Sequence, residues 1–181
     1  MLDLEFTDEQ DMLRGMVAGL LAKHSPLTKV RELEDDPTGY DPALWDQLKQ
    51  LDLVGLLLPE DRGGSGQSML EGVVLYEELG KALAPTPHFV SAVLTGGALA
   101  TAGGHDELLE SIASGDTIAT VAWLEPDGAF KPGGVQATAT DGTVTGVKRH
   151  VPFAAAADVL LVLARAGDEV GLHLVDPKAD G

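Results

Sequence analysis

The sequence has no cysteine among its 181 residues, which excludes disulfides, cysteine-ligated metal sites and thiol nucleophiles. Basic residues are also scarce, since 12 lysines and arginines stand against 29 acids and give a formal net charge of −17. That charge repels nucleic-acid phosphates and anionic lipid, so we expect no nucleic-acid or membrane partner. The longest uncharged stretch, residues 82–104, is interrupted by Pro85 and Pro87. Because a secretory signal pattern is lacking as well, we expect a cytoplasmic protein.

The N-terminal part of the chain carries the signals of helices. Thr7 with Gln10, and Ser68 with Glu71, have the form of capping boxes at helix starts. Apolar residues then recur at the spacing of one helix face. Between two of these helices lies "PEDRGGSG", residues 59–66, whose three glycines predict a structural turn that links the helices.

From Gly115 onward the apolar period changes from that of helices to that of strands. Asp141-Gly142 is a two-residue hairpin signal between two of these strands. Helices first and strands afterwards predict an α+β fold, with an all-α domain over residues 1–115 and a β-domain over residues 116–181. The predicted strands are 117–124, 135–140, 143–147, 158–164 and 170–175.

Three segments, in chain order, resemble the acyl-CoA dehydrogenase family. "GLLLPEDRGGSG" followed by "YEELGKALAP" is similar to the family's N-terminal helical domain. "TIATVAWLEPDGAF" is similar to a family strand that ends in Thr-Glu-Pro, and "TVTGVKRHVPFAAAADVLLVLAR" to its Gly-x-Lys-x-Trp-Ile-Thr segment. The matching residues are Pro59, Glu60, Asp61, Gly63, Gly64, Gly66, Glu77, Glu78, Glu125, Pro126, Gly146, Lys148, Ala157 and Asp158.

This resemblance implies an oligomeric flavoprotein that oxidises an acyl-CoA thioester between Cα and Cβ. FAD is the hydride acceptor and a glutamate is the base. The implied fold is an N-terminal helical domain, a middle β-barrel and a C-terminal helical bundle. The β-domain of this chain is then the first part of a partial antiparallel β-barrel. Since the family's base lies in the bundle, we assign no catalytic residue to this chain and leave open whether it is an enzyme by itself.

The resemblance also places four residues at the flavin. Leu124 stands where the family has the threonine before Glu-Pro, and His150, Val151 and Pro152 stand at its Trp, Ile and Thr positions. Phe130 stands where the family has a serine. Leucine and proline carry no hydroxyl and proline has no N–H, so we expect the flavin's redox edge to lose contacts. Backbone contacts of Leu124 and Val151 do not depend on the side chain. His150 is either next to the flavin or an ordinary strand histidine.

Other charged residues have more ordinary interpretations. Glu77 and Glu78 form a carboxylate pair, but we expect them to face solvent on a helix, with Glu77 meeting Lys81. Lys148-Arg149 either meets a cofactor phosphate or ends a solvated strand. The histidines lack acidic partners at metal-ligand spacing, so we predict no metal site.

Two hypotheses about function remain open. In the first, the chain is a subunit or fragment of an acyl-CoA dehydrogenase-like flavoprotein. In the second, it is a non-catalytic structural partner in a hetero-oligomeric acyl-CoA dehydrogenase, and it has lost its own flavin contacts.

Overall fold

A computed structural model describes residues 5–127 and 132–179. Helices fill the N-terminal part, and a π-helix, Phe89–Gly96, runs directly into the fifth α-helix. None of the helices in these ranges is long and apolar enough to cross a lipid bilayer. The α-helices are α1 (Asp8–His24), α2 (Leu27–Glu32), α3 (Pro42–Gln50), α4 (Met69–Lys81), α5 (Gly97–Ala102) and α6 (Asp106–Ala113). The strands are β1 (Ala119–Ala122), β2 (Thr138–Thr140), β3 (Thr143–Thr145), β4 (Val159–Ala166) and β5 (Glu169–Val175).

Both predicted capping boxes are confirmed. At the start of α1, the Thr7 hydroxyl accepts the Gln10 N–H at 3.3 Å, and the Gln10 side chain accepts the Thr7 N–H at 3.1 Å. At the start of α4, Ser68 and Glu71 form the same reciprocal pair. Gln10 Nε2 also donates to Glu71 Oε1 at 2.8 Å, so the two boxes bond to each other. The N-terminal ends of α1 and α4 are therefore fixed side by side.

A core of buried aliphatic side chains packs around Trp45. Trp45 also donates its indole N–H to Gly115 O at 2.9 Å, which holds the chain that leads into β1 against α3. Burying each large apolar side chain contributes about 1.5–3 kcal/mol, so this cluster supplies much of the stability of the helical part. Other members of the cluster are Val17, Leu21, Leu44, Leu48, Leu53, Val54, Leu75 and Leu79.

The turn at residues 59–66 folds back on the segment before it. Ser65 N donates to Gly55 O at 3.0 Å, and Gly66 N donates to Leu58 O at 2.9 Å. Gly64 lies so close to this segment that an added Cβ would sit 2.1 Å from Leu58 O. The turn is thus a packed connector, in keeping with its predicted structural role, and Gly64 is required by a close approach of two backbones.

Ser91, on the π-helix, joins the helical part to the sheet. Its hydroxyl oxygen accepts the Ala119 N–H at 3.1 Å, and both residues are fully buried. Small residues carry no sequence signal for the wider π turn, so this change of helix type is visible only in the structure. The bond fixes the start of β1 relative to the helices.

The five strands form one open, mixed sheet with β4 at its centre. β1 runs parallel to β4, and β5 pairs with the other edge of β4 in the antiparallel sense. β2 and β3 form the predicted hairpin around Asp141-Gly142, and β2 meets β4 where Thr138 lies opposite Arg165. The α+β prediction is confirmed, but the sheet is mixed and not purely antiparallel. The chain between β1 and β4 is long enough to cross back over the sheet, so β4 can run parallel to β1.

Candidate functional site

Two segments of the chain lie side by side where β1 ends. We call them the β1 segment (residues 120–125) and the return segment (residues 148–153). Arg149 N donates to Leu124 O at 2.8 Å, and Thr120 Oγ1 donates to Pro152 O at 2.7 Å, so the segments run in opposite directions. This arrangement brings together the four residues that the resemblance places at the flavin. They are Leu124, His150, Val151 and Pro152.

Left-handed residues bend the return segment on both sides of Val151-Pro152. His150 and Phe153 each have a φ of 51°, a region that costs a residue with a side chain about 1–2 kcal/mol. Pro152 fixes its own φ and keeps Val151 extended. Backbone strain of this kind clusters at ligand and active sites, so the segment is a candidate site on geometric grounds as well.

Both segments contain backbone N–H groups that have no partner among the described residues. The N–H groups of Leu124 and Val151 have no hydrogen-bond partner within residues 5–127 and 132–179, and both residues are half-buried. Pro152 has no N–H, and its carbonyl is already bonded to Thr120. The family resemblance places these two N–H groups at the flavin's N5 and O4, both of which accept hydrogen bonds. Unpaired backbone donors are compatible with flavin acceptors, whereas the side chains of Leu124 and Pro152 add no donor. The predicted contact position at Phe130 lies outside the described residues.

A buried ion pair ties the two segments together. Lys148 Nζ lies 2.7 Å from Glu125 Oε1, and these side chains are only 9% and 4% exposed. The carboxylate also accepts the N–H groups of Gln136 at 2.7 Å and Ala137 at 2.9 Å. Burial alone raises the pKa of Glu125, but Lys148 and the two amides outweigh burial and hold the pKa below its usual value. Of the Lys148-Arg149 pair, Lys148 is thus neither at a solvated strand end nor free for a cofactor phosphate, whereas Arg149 is exposed.

Two further residues that match the family motifs also hold the return segment and β1 in place. Gly146 packs on Ala137, the residue just before β2, and a Cβ added at Gly146 would lie 2.6 Å from Ala137 Cβ. Asp158 Oδ2 accepts the Ile118 N–H at 3.0 Å, and Asp158 N donates to Ile118 O at 2.7 Å. The resemblance identified these residues by type, but spacing alone gave no signal for which partners they meet.

The expected arrangement of Glu77 and Glu78 was wrong in two respects. Glu78 is only 7% exposed, and it is Glu78, not Glu77, that pairs with Lys81, at 2.6 Å. Arg14 Nη1 lies 2.7 Å from Glu77 Oε2 and 3.2 Å from Glu78 Oε1. The glutamates therefore join α1 to α4, far along the chain from the candidate site.

His88 is the most buried histidine of the described chain. Its Nε2 lies 2.9 Å from Leu53 O and its Nδ1 lies 2.6 Å from the Tyr76 hydroxyl. A carbonyl only accepts, so Nε2 carries the proton and Nδ1 accepts from Tyr76. Burial lowers the pKa of His88, which keeps the ring neutral. Within residues 5–127 and 132–179, no group of three or more histidines and acids is placed to hold a metal ion.

The chain thus combines a helical domain with an open, mixed sheet. Residues 7–116 match the family model for the acyl-CoA dehydrogenase N-terminal domain. Over 96% of its length the chain is 33% identical to acyl-CoA dehydrogenase FadE27 of Mycobacterium tuberculosis. This chain belongs to the acyl-CoA dehydrogenase family.

Solved structures share the fold. The ChsE4-ChsE5 complex from Mycobacterium tuberculosis matches 98% of this chain with a TM-score of 0.85 and 31% identity. An acyl-CoA dehydrogenase from Bacillus anthracis, complexed with FAD, matches 98% of this chain with a TM-score of 0.84 and 21% identity. The chain spans less than half of these proteins: 47% of FadE27, 49% of the ChsE chain and 32% of the Bacillus enzyme.

Proposed function

We propose that this chain is a subunit or fragment of a cytoplasmic acyl-CoA dehydrogenase-type flavoprotein. In the complete protein or assembly, FAD oxidises an acyl-CoA thioester between Cα and Cβ. The carrying observation is the pairing of the β1 segment with the return segment, both of which contain unpaired backbone donors, in a chain of this family. The predicted division into residues 1–115 and 116–181 belongs to this proposal.

In this proposal, Leu124 and Val151 bind the flavin through their N–H groups, and His150 and Pro152 contact it with their side chains. The bound flavin supplies the hydride acceptor. The hydroxyl and the donor that the family threonines supply are missing, and an unpaired buried acceptor costs about 1–3 kcal/mol. The lone chain therefore holds FAD weakly or not at all, and the rest of the pocket comes from a longer chain or a partner subunit.

Trp123 makes this proposal testable. It is 49% exposed and directly precedes Leu124, while Trp45, the other tryptophan, is buried in the helical core. When FAD is titrated into the lone chain at micromolar concentrations, we expect the quenching of Trp123 fluorescence not to reach saturation. In an assembly with a complete acyl-CoA dehydrogenase subunit, FAD should bind to saturation and quench Trp123, and Trp123→Phe should remove that quenching. Absence of any FAD-dependent quenching, alone and in the assembly, would overturn the flavin-site proposal.

The second candidate function is a non-catalytic structural partner in a hetero-oligomer. The observation that favours it is the absence of a side-chain donor at both Leu124 and Pro152. The fold shared with a chain of the ChsE4-ChsE5 complex is in keeping with this role. The two candidates differ in flavin stoichiometry. A purified assembly with one FAD for each copy of this chain supports the flavoprotein subunit, and an assembly with FAD only in the partner's sites supports the structural role.

A further inference from the structure

The ion pair between Glu125 and Lys148 lies directly beside the candidate flavin contacts. Glu125 follows Leu124 in the chain, and Lys148 precedes Arg149, whose N–H bonds to Leu124 O. The ion pair is therefore one residue away from the hydrogen bond that joins the two segments at this end. At the other end, the segments are joined by Thr120 and Pro152.

The carboxylate of Glu125 is fixed from two other directions. Gln136 N and Ala137 N, both just before β2, bond to its two oxygens. Gly146 packs on Ala137, which brings the chain after β3 close enough for Lys148 to reach the carboxylate. Lys148 Nζ also lies 3.4 Å from Trp123 O. Lys148 is thus the side chain that joins the return segment to a carboxylate already held in place by the sheet.

We infer that the Glu125–Lys148 pair is a positioning element that sets the separation of the β1 segment and the return segment, and so places the Leu124 and Val151 donors for the flavin. The inference rests on the proposed flavin site. A buried pair of this kind keeps a rigid geometry because neither charge gains by separating within a poorly solvated site. Neither residue touches the reacting atoms.

The test compares Lys148→Met with a matched control, Lys49→Met. Lys49 Nζ forms an ion pair of equal length, 2.7 Å, with Asp116 Oδ1 before β1, but this pair is exposed. We expect Lys148→Met to raise amide hydrogen exchange in the two segments by about tenfold or more, while the helices stay protected. It should also weaken FAD binding in the assembly by about tenfold or more, since both donors lose their placement. Lys49→Met should change neither.

Two more variants separate positioning from folding. Lys148→Met leaves the Glu125 charge buried, so Glu125→Gln/Lys148→Met removes both charges and keeps the chain folded if the single variant unfolds. The double variant should show the same local exchange and the same loss of FAD affinity. Lys148→Arg keeps the charge and should restore much of the affinity.

Each outcome bears on the inference. Unchanged exchange in the two segments overturns it, and so does raised exchange with unchanged FAD affinity. Raised exchange together with a loss of affinity that exceeds the loss of stability supports it. If the unchanged protein binds no FAD in any assembly, the proposed flavin site fails, and the exchange measurement alone then decides whether the pair positions the segments.

Discussion

Gly64 shows how a single missing Cβ determines the path of the chain. An alanine Cβ would lie 2.1 Å from Leu58 O, a backbone atom that cannot move without breaking the turn. We expect Gly64→Ala to lower the free energy of unfolding by about 2–3 kcal/mol or more. The control is Gly63→Ala: Gly63 has a φ of 75° with open space around it, so alanine there should cost about 1–2 kcal/mol. Urea unfolding measures both changes.

The reason for Gly64 differs from the one that the sequence suggests. A glycine-rich turn indicates positive φ, and Gly63 and Gly66 do have it, at 75° and 59°. Gly64 is needed because its backbone lies against the backbone of Leu58, and no local sequence pattern shows this close approach. An equal loss of stability in Gly63→Ala and Gly64→Ala would contradict this account.

Glu71 makes the stability of the fold depend on pH, and its hydrogen bonds determine the direction of that dependence. Hydrogen bonds from the Ser68 side chain and from Gln10 lower the pKa of Glu71 from 4.5 to about 2. Because the folded value is the lower one, the stability that Glu71 contributes is complete above about pH 5 and is lost as pH falls towards 2. We expect Glu71→Gln to lower the free energy of unfolding by about 1 kcal/mol near pH 7. The free energy of unfolding of this variant should also fall less steeply with decreasing pH than that of the unchanged protein. Identical slopes of unfolding free energy against pH, between about pH 5 and 2, would argue against this role.

At the scale of elements, Ser91 couples the π-helix to β1. Ser91→Ala leaves the buried Ala119 N–H without a partner, so we expect a loss of about 1–3 kcal/mol in unfolding free energy. Thr101→Ala is the control, because the Thr101 hydroxyl, unlike that of Ser91, bonds to no strand and donates to Gly97 O on the exposed face of α5. That variant should change stability by less than about 0.5 kcal/mol. Equal effects in the two variants would show that the Ser91 bond does not secure the sheet.

Elements whose signals are local were predictable, and elements set by distant contacts were not. Thr7 and Ser68 mark helix starts through bonds within four residues, and Asp141-Gly142 sets its hairpin in the same way. The parallel pairing of β1 with β4 depends on residues far apart in the chain, for which no local rule exists. The same holds for the candidate site. The family resemblance predicted that Leu124 and Pro152 belong to one site, but the ion pair between Glu125 and Lys148 became visible only in the structure.

For the whole molecule, the decisive question is whether these 181 residues contain a group able to remove a proton from a substrate. Within residues 5–127 and 132–179 the buried carboxylates are Asp41, Glu78 and Glu125. Asp41 caps α3 through the Ala43 N–H, and Glu78 is held by Arg14 and Lys81. Glu125, the one beside the candidate flavin contacts, is bonded to Lys148 and to two amides, and its lowered pKa makes it a weaker base.

A general base must be free to reach the substrate proton, and each of these three carboxylates is already bonded within the chain. We therefore predict that the lone chain, even with excess FAD, does not reduce an artificial electron acceptor with any acyl-CoA. The assay needs protein of confirmed intact mass, with a complete family member as the positive control. Turnover by the lone chain would contradict the prediction, and Glu125→Gln would then show whether Glu125 is the base after all. Turnover that arises only when a complete subunit is added, and that persists in Glu125→Gln, would place the base in the partner.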